Sequence, residues 1–367
     1  MQANYKGELE MEATEHSSEV PRWQLRSAAV FEVVAVLVGG SLLARWLSGW
    51  LGLARSRELI NALPEGATPD FLNWALISGL DLLIKYGIML GLAVLIGWWH
   101  RRRRWSAYGL SLAGRTAGQH VGSGVLLFAV AAFLPTLLTV INHYVPLGAG
   151  PEHWSVFSYG WSLEFWVFMA VSSFVLVPIL EELFIRGYVQ TRLIEDYGVG
   201  GGIVIAAFVF AFSHTQYFRL TVMSQGMLFS ILLASIAMGY VFYRTRSLVP
   251  VVLAHGLLNT PTRHAADVVL LAVMLPLFVV SSRQIAGYAR SLWQELVRLR
   301  AGATLGALAL FAVTLLALML VRPLILVWVA TAGAITLIVE YRDRQARETA
   351  AQGRSRRSLG IQFPGDK

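Results

Sequence analysis

Six polar side chains that could carry out chemistry lie in three otherwise apolar stretches of this chain. They are Glu181, Glu182, Arg186, His214, His255 and Asn259. Inserting a charged side chain near the centre of a bilayer costs roughly 2.5–3.5 kcal/mol, so such groups usually face the interior of a helix bundle and carry function. Each of the six polar side chains would destabilise the folded protein if it faced lipid. We therefore expect them to converge on one hydrated cavity.

The two adjacent glutamates are expected to play different roles. Glu182 and Arg186 are four residues apart, so on a helix they share one face and can form an ion pair. Glu181 lies about 100° further round the helix and has no cation on its own face. The spacing therefore predicts that Glu182 and Arg186 support the structure, whereas Glu181 remains available to exchange protons. A purely structural ion pair is the alternative interpretation of this stretch.

The whole set suits the hydrolysis of an amide bond. A glutamate and a histidine can hold and deprotonate a water molecule. A second histidine and an asparagine can donate hydrogen bonds to the oxyanion that then develops. His214, His255 and Glu181 could instead bind a divalent metal such as zinc, with one position open for water. The sequence lacks the His-Glu-x-x-His pattern that places both histidines on one helix, and both interpretations remain open.

Composition identifies the compartment in which this chemistry would occur. The chain has 367 residues, of which 56% are hydrophobic and only 14% are charged, against about 25% charged in a soluble domain. It contains no cysteine, which excludes disulfides, thiolate catalysis and iron–sulfur clusters. The net charge of +8 is explained by basic cytoplasmic loops, without nucleic acid as a partner. We expect an integral protein of the lipid bilayer, located in the bacterial inner (plasma) membrane.

The predicted fold is an all-α, polytopic transmembrane bundle of about ten spans. The expected spans are Ser27–Leu51, Phe71–Trp99, Val121–Ile141, Ser172–Arg192, Gly202–Leu220, Gln225–Tyr243, Ser247–Thr260, Ala266–Val280, Ala303–Leu320 and Leu324–Ile338. Pro178 is expected to kink the fourth span, and the glycines at 198–202 are expected to form a turn. Asp81 and Lys85, four residues apart, are expected to neutralise each other. Glu32, in the first span, has no role that the sequence reveals.

These spans divide the chain into five regions. They are a polar N-terminal segment (1–26), two spans with a basic loop (27–120), a membrane core (121–282), an amphipathic stretch with two additional spans (283–340) and a basic tail (341–367). Ten spans place both termini on the same side of the membrane. The excess of arginine in the loops favours the cytoplasmic side for both termini and for the basic loop at 99–120. We also expect the cavity to open toward the cytoplasmic half.

Three motifs resemble those of the CPBP family, also called the Abi or CAAX protease family. They are Glu181-Glu182-x-x-x-Arg186, Phe210-x-x-x-His214 and His255-x-x-x-Asn259, and together they cover roughly residues 165–262. The family includes endopeptidases that trim prenylated proteins and bacterial proteins linked to bacteriocin processing or self-immunity. The resemblance implies that Glu181 and His214 activate the water and that His255 and Asn259 stabilise the oxyanion. It also implies supporting roles for Glu182 and Arg186.

The leading hypothesis is an intramembrane endopeptidase that cleaves a membrane protein or a lipidated peptide near its membrane-embedded end. One alternative is a proton-coupled transporter that uses the buried carboxylates as a relay. A transporter of this kind usually shows repeated halves, and the sequence contains no such repeat. The other alternative is a non-catalytic immunity or partner-binding protein with the same fold. The complete set of polar residues favours the enzyme.

Overall fold

The computed structural model describes residues 21–53, 70–99, 116–148, 162–260, 264–320 and most of 333–346. Within these ranges the regular structure is helical and no strand is present, which confirms the predicted all-α bundle. The helices are α1 (Arg22–Trp50), α2 (Phe71–Trp99), α3 (Ala117–Tyr144), α4 (Leu163–Met169), α5 (Leu176–Glu182), α6 (Thr191–Ser213), α7 (Val222–Thr245), α8 (Val249–Leu258), α9 (His264–Val297) and α10 (Ala301–Leu320). Wide π-helical turns at Ala170–Phe174 and Leu183–Gln190 follow α4 and α5.

Six helical stretches are long and apolar enough to cross a membrane within the described part of the chain. One of them, Leu163–Ser213, contains the fourth predicted span and the fifth as far as Ser213. The seventh predicted span corresponds to the short helix α8, and residues 324–332 of the last predicted span lie outside the described residues. The stretch predicted to be amphipathic continues the eighth span directly, because α9 is one helix of 34 residues. Such a helix is about 50 Å long, more than a bilayer core requires.

The chain reverses direction at Gly198, as the glycine-rich segment predicts. Gly198 has φ 77°, a left-handed conformation that costs glycine little but strains other residues. The two arms of the turn then pack closely, since a Cβ placed on Gly202 would lie 2.7 Å from the backbone nitrogen of Ile194. This close approach brings the helical segment after Glu182 against the following membrane helix, which carries His214.

A buried ion-pair network fixes α1 to the helical segment that follows Glu182. The Glu32 carboxylate accepts hydrogen bonds from the Tyr188 hydroxyl at 3.0 Å and from Arg192 Nε at 2.6 Å. Arg192 also pairs with Asp196, and only 1% of the Arg192 side chain is exposed. Breaking a buried pair of this kind is strongly destabilising, because it leaves an uncompensated charge. Glu32 therefore has a structural role that anchors the N-terminal helix against the segment following α5.

Candidate active site

The two glutamates face different surroundings. Glu182 is completely buried and accepts a hydrogen bond from Arg186 Nε at 2.9 Å. The Glu181 side chain is 19% exposed and lines a cavity of about 1020 Å³. The two side chains diverge because successive residues on a helix are rotated by about 100°. The structure thus places one carboxylate inside the protein with a charged partner and its neighbour at the surface of the cavity.

Arg186 is held by contacts on several sides. Besides Glu182, its guanidinium donates a hydrogen bond to the Ser235 hydroxyl at 2.9 Å and lies 5.4 Å from the centre of the Phe210 ring. Its side chain is completely buried, and a buried guanidinium is stabilised when its fork of N–H groups is matched by acceptors. Arg186 therefore connects the segment carrying both glutamates to α6 and α7, away from the cavity lining.

His255 connects the two carboxylates. Its Nδ1 lies 2.9 Å from Glu182 Oε1, and its Nε2 lies 3.8 Å from Glu181 Oε2. A histidine whose Nδ1 contacts a carboxylate has its ring orientation fixed by that contact. Glu182 therefore orients the His255 ring so that Nε2 faces Glu181 and the cavity. The ring of Phe210 stands edge-on to His255 with centroids 5.7 Å apart, which fixes it from a second side.

His214 lies at the end of α6 and also lines the cavity. Its Nδ1 is 2.8 Å from the Phe210 carbonyl oxygen. A carbonyl oxygen can only accept a hydrogen bond, so Nδ1 carries the proton in this contact and Nε2 is left as an acceptor. This tautomer suits a histidine that holds a water molecule by accepting one of its hydrogens. The Phe210-x-x-x-His214 spacing is thus explained, since the two residues form a one-turn hydrogen bond.

Asn259 fixes the break in the helix that precedes the glutamates. Pro178 has no N–H group to donate to the carbonyl four residues earlier, and the chain leaves helical geometry at Val175, with φ −120°. Carbonyl groups before the break are thereby released from the helix. Asn259 Nδ2 donates to the Ser173 carbonyl at 3.1 Å, and the Ser173 hydroxyl donates to the Asn259 carbonyl at 3.2 Å. The predicted kink at Pro178 is present, three residues before the proline.

Tyr86, on α2, is part of the site although the sequence did not indicate it. Its hydroxyl donates a hydrogen bond to Glu181 Oε1 at 2.8 Å, and the side chain is buried and lines the cavity. Because this contact joins two helices distant in the chain, no local spacing signals it. A tyrosine inside an apolar span was the only possible indication. The bond orients the Glu181 carboxylate so that its second oxygen faces His255.

The structure brings the proposed catalytic side chains around one cavity. Glu181, His214, His255 and Asn259 all line it. Glu182 and Arg186 stand behind this surface and contact it through His255 and Phe210. Asp81 and Lys85 do not form the expected pair, because Asp81 accepts a hydrogen bond from Ser48 at 2.9 Å and Lys85 lies over the Tyr86 ring.

The lining of the cavity lies away from the start of α3. Within α3 it runs from Phe128 to Thr139, from the middle of the helix into its second half. Residues 215–217, just after α6, also line it. The cytoplasmic basic loop and the cytoplasmic opening of the cavity both stay predictions, and the lining at 215–217 makes the second of them the one to test.

Cysteine labelling can determine which orientation holds. By the positive-inside rule, we expect Gln216→Cys, at the cavity end, to react with an impermeant maleimide added outside intact cells. Ala117→Cys, at the start of α3, should react only after permeabilisation. Both positions are exposed, and the native chain has no cysteine to interfere. Labelling of both positions from the same side would contradict the arrangement of the bundle. A reversed pattern would place the basic loop outside.

The part of the chain that contains these motifs resembles a known protein family. Residues 162–261 match the model of the family described as type II CAAX prenyl endopeptidase Rce1-like. The match covers 100 of the 367 residues, and this segment is similar to that family. The matched segment begins at the residue before α4 and ends just after Asn259, so it includes every motif of the site. No curated protein and no solved structure matches the chain.

The family match leaves the means of water activation open between a glutamate acting directly and a metal ion. Among the described residues, no group of three or more histidine, aspartate or glutamate side chains is arranged to hold one. His255 Nδ1 contacts Glu182 and His214 Nδ1 contacts the Phe210 carbonyl, contacts that a metal-ligating histidine commonly makes through its second ring nitrogen. His214, His255 and Glu181 would be the residues to hold a metal ion, which would supply a Lewis acid for the water, but in the described residues they are not arranged as such a group.

Proposed function

We propose that this protein is an intramembrane endopeptidase that hydrolyses a peptide bond near the membrane-embedded end of a protein substrate. The similarity of residues 162–261 to the CAAX prenyl endopeptidase family supports a protease activity in general. One observation carries the more specific proposal. Glu181 faces a cavity that it shares with His214, His255 and Asn259, while its neighbour Glu182 is buried against Arg186 and His255.

The first step assigned to this site is the activation of water. His214 Nε2 accepts a hydrogen bond from the water, and Glu181 takes its proton as general base. The water oxygen then forms a bond to the carbonyl carbon of the peptide, and the carbonyl π electrons move onto its oxygen. Tyr86 keeps the Glu181 carboxylate in place through its hydrogen bond to Oε1. This arrangement requires no group beyond the side chains of the cavity.

The second step is the collapse of the tetrahedral intermediate. His255 Nε2, when protonated, and Asn259 are placed to donate hydrogen bonds to the oxyanion. An amide nitrogen carries two hydrogens, so Asn259 retains one N–H after its bond to the Ser173 carbonyl. As the C–N bond breaks, Glu181 returns its proton to the leaving nitrogen. The products are a new carboxylate and a new amine.

A comparison of membrane proteomes tests this proposal. Cells that produce the wild-type protein should contain cleaved membrane-protein termini that are missing from cells producing Glu181→Gln at the same level. Glu164→Gln is the matched control, because it makes the same chemical change at a residue outside the cavity lining. Cleavage products that also persist with Glu181→Gln would contradict the proposal. The absence of any difference among the three strains would favour the non-catalytic alternative.

A further inference from the structure

Three arginines from distant parts of the chain meet at the end of the bundle where α1 begins. Arg22 and Arg26 lie in the first two turns of α1, and Arg300 lies between α9 and α10. All three side chains are exposed or half-buried. The proposed hydrolysis uses none of these side chains, and none of them lines the cavity of Glu181.

The turn at Gly198 fixes the position of Arg26. Arg26 Nε donates a hydrogen bond to the Asp196 carbonyl oxygen at 3.1 Å, and the Tyr197 hydroxyl donates to the Arg26 carbonyl oxygen at 3.1 Å. Both partners directly precede Gly198, so the first turns of α1 lie against this turn. The bond from Nε uses one of the five N–H groups of the guanidinium. The other four have no acceptor among the described residues.

The same turn also fixes the position of Arg300. A side chain at Gly200 would meet the Glu295 carbonyl oxygen near the end of α9, and a Cβ at Gly201 would lie 3.3 Å from Thr304 Oγ1 on α10. Arg300 lies between Glu295 and Thr304 in the chain. It is therefore held near the residues that follow Gly198, just as Arg26 is held near those that precede it.

The three guanidiniums are close enough to affect one another. Partial desolvation, and then the nearby charges of Arg26 and Arg22, hold the pKa of Arg300 below its usual range. No carboxylate of the described residues lies within 4.0 Å of any of the three guanidiniums. Asp196 pairs with Arg192 instead. Because like charges repel each other, binding of an external anion would stabilise this cluster.

The surroundings of the cluster suit a lipid. The helix α1 has 29 residues and is about 44 Å long, whereas the hydrocarbon core is about 30 Å thick. Trp23, next to Arg22, is 66% exposed, and tryptophan is typical of the membrane interface. Val297 and Leu305, on either side of Arg300 in the chain, are also exposed and offer an apolar surface to acyl chains.

We propose that Arg22, Arg26 and Arg300 bind the phosphate group of an anionic phospholipid. The planar fork of arginine donates two parallel hydrogen bonds to phosphate oxygens. Basic pockets between membrane helices on the cytoplasmic side typically bind such headgroups, and the start of α1 is predicted to lie on that side. The bound lipid joins α1 to the loop between α9 and α10. This inference goes beyond the proposed hydrolysis and does not depend on it.

The test measures lipid retention and thermal unfolding of the full chain purified in detergent. Dioleoyl phosphatidylglycerol is compared with dioleoyl phosphatidylcholine, which has the same acyl chains but no net charge. We expect phosphatidylglycerol to stay bound in native mass spectrometry and to raise the unfolding midpoint, and phosphatidylcholine to do neither. Arg22→Gln and Arg300→Gln should each weaken the binding of phosphatidylglycerol about fivefold, the contribution of one cation near an anionic surface.

Two further variants serve as controls. Arg298→Gln removes a positive charge close to Arg300 in the chain, from a side chain that is 69% exposed, and should leave lipid binding unchanged. Arg300→Lys keeps the charge and should retain most of the binding. The unfolding midpoint of each variant without added lipid checks the fold. We expect it to match the wild type, since the substituted side chains pair with no described carboxylate.

Three results would overturn the inference. The first is equal retention of phosphatidylglycerol and phosphatidylcholine by the wild-type protein. The second is a loss of binding with Arg298→Gln as large as that with Arg22→Gln and Arg300→Gln, which would show a response to total surface charge instead of a site. The third is stabilisation by inorganic phosphate equal to that by phosphatidylglycerol at the same concentration, which would assign the cluster to a free anion. None of these results would affect the proposed endopeptidase.

Discussion

Replacing Glu181 by glutamine is expected to lower turnover by about 10²–10⁴-fold, the contribution typical of a positioned acid–base group. Glutamine has nearly the same shape and can still accept the hydrogen bond from Tyr86. It cannot take a proton from water. Since Glu181 is partly exposed to the cavity, the substitution also leaves no buried charge without a partner. Folding and membrane insertion should therefore be preserved.

The measurement uses a substrate peptide that contains a cleavage site found in the proteome comparison, and it gives the cleavage rate per mole of folded protein in detergent. Thermal unfolding of the same sample checks that the fold is retained. Glu164→Gln, again the matched control, should cleave at the wild-type rate. Near-normal turnover by Glu181→Gln, together with an inactive but well-folded Glu182→Gln, would reverse the roles assigned to the two glutamates.

The second large effect is expected at Arg186, where a substitution lowers the stability of the fold. Arg186→Met removes the cation that pairs with Glu182 while both side chains are completely buried. Removing one partner of a buried ion pair typically costs about 3–5 kcal/mol, and His255 is then the remaining partner of the Glu182 carboxylate. The same change also frees the Ser235 hydroxyl from its hydrogen bond. We expect a markedly lower unfolding midpoint and less folded protein in the membrane.

A double substitution separates this explanation from simple loss of packing. When Glu182→Leu is combined with Arg186→Met, the orphaned charge is removed, and replacing a buried ion pair by apolar side chains is often close to neutral. We expect the double variant to regain a substantial part of the lost stability, although His255 then loses the carboxylate that orients it. Denaturant unfolding in detergent micelles measures the effect. If the double variant is less stable than Arg186→Met alone, uncompensated charge is not the cause.

Much of the site could be predicted because its residues are related by the period of one helix. Glu182 and Arg186 are four residues apart and do form a buried pair. The turn at Gly198 is equally local, because a run of glycines predicts it directly. The helical fold follows from long apolar stretches interrupted by loops. These features depend on contacts between residues a few positions apart, so a short stretch of sequence is enough to predict them.

The contacts between distant helices were not predictable in the same way. The hydrogen bond from Tyr86 to Glu181 and the anchoring of Glu32 by Arg192 depend on how the helices pack. The pairing predicted for Asp81 and Lys85 was wrong because the antiparallel register offers Asp81 the hydroxyl of Ser48 instead. The side on which the cavity opens depends on the direction of every helix around it. The charges near a single motif do not determine this direction.

The central claim is that the cavity hydrolyses a peptide bond with a water molecule held at Glu181. The most direct measurement is cleavage of the substrate peptide by the purified protein in water enriched in ¹⁸O, followed by mass spectrometry of both fragments. Hydrolysis at this site predicts one ¹⁸O atom in the new C-terminal carboxylate and none in the fragment carrying the new amine, with Glu181→Gln giving neither fragment. A peptide that remains intact with folded wild-type protein would contradict the account.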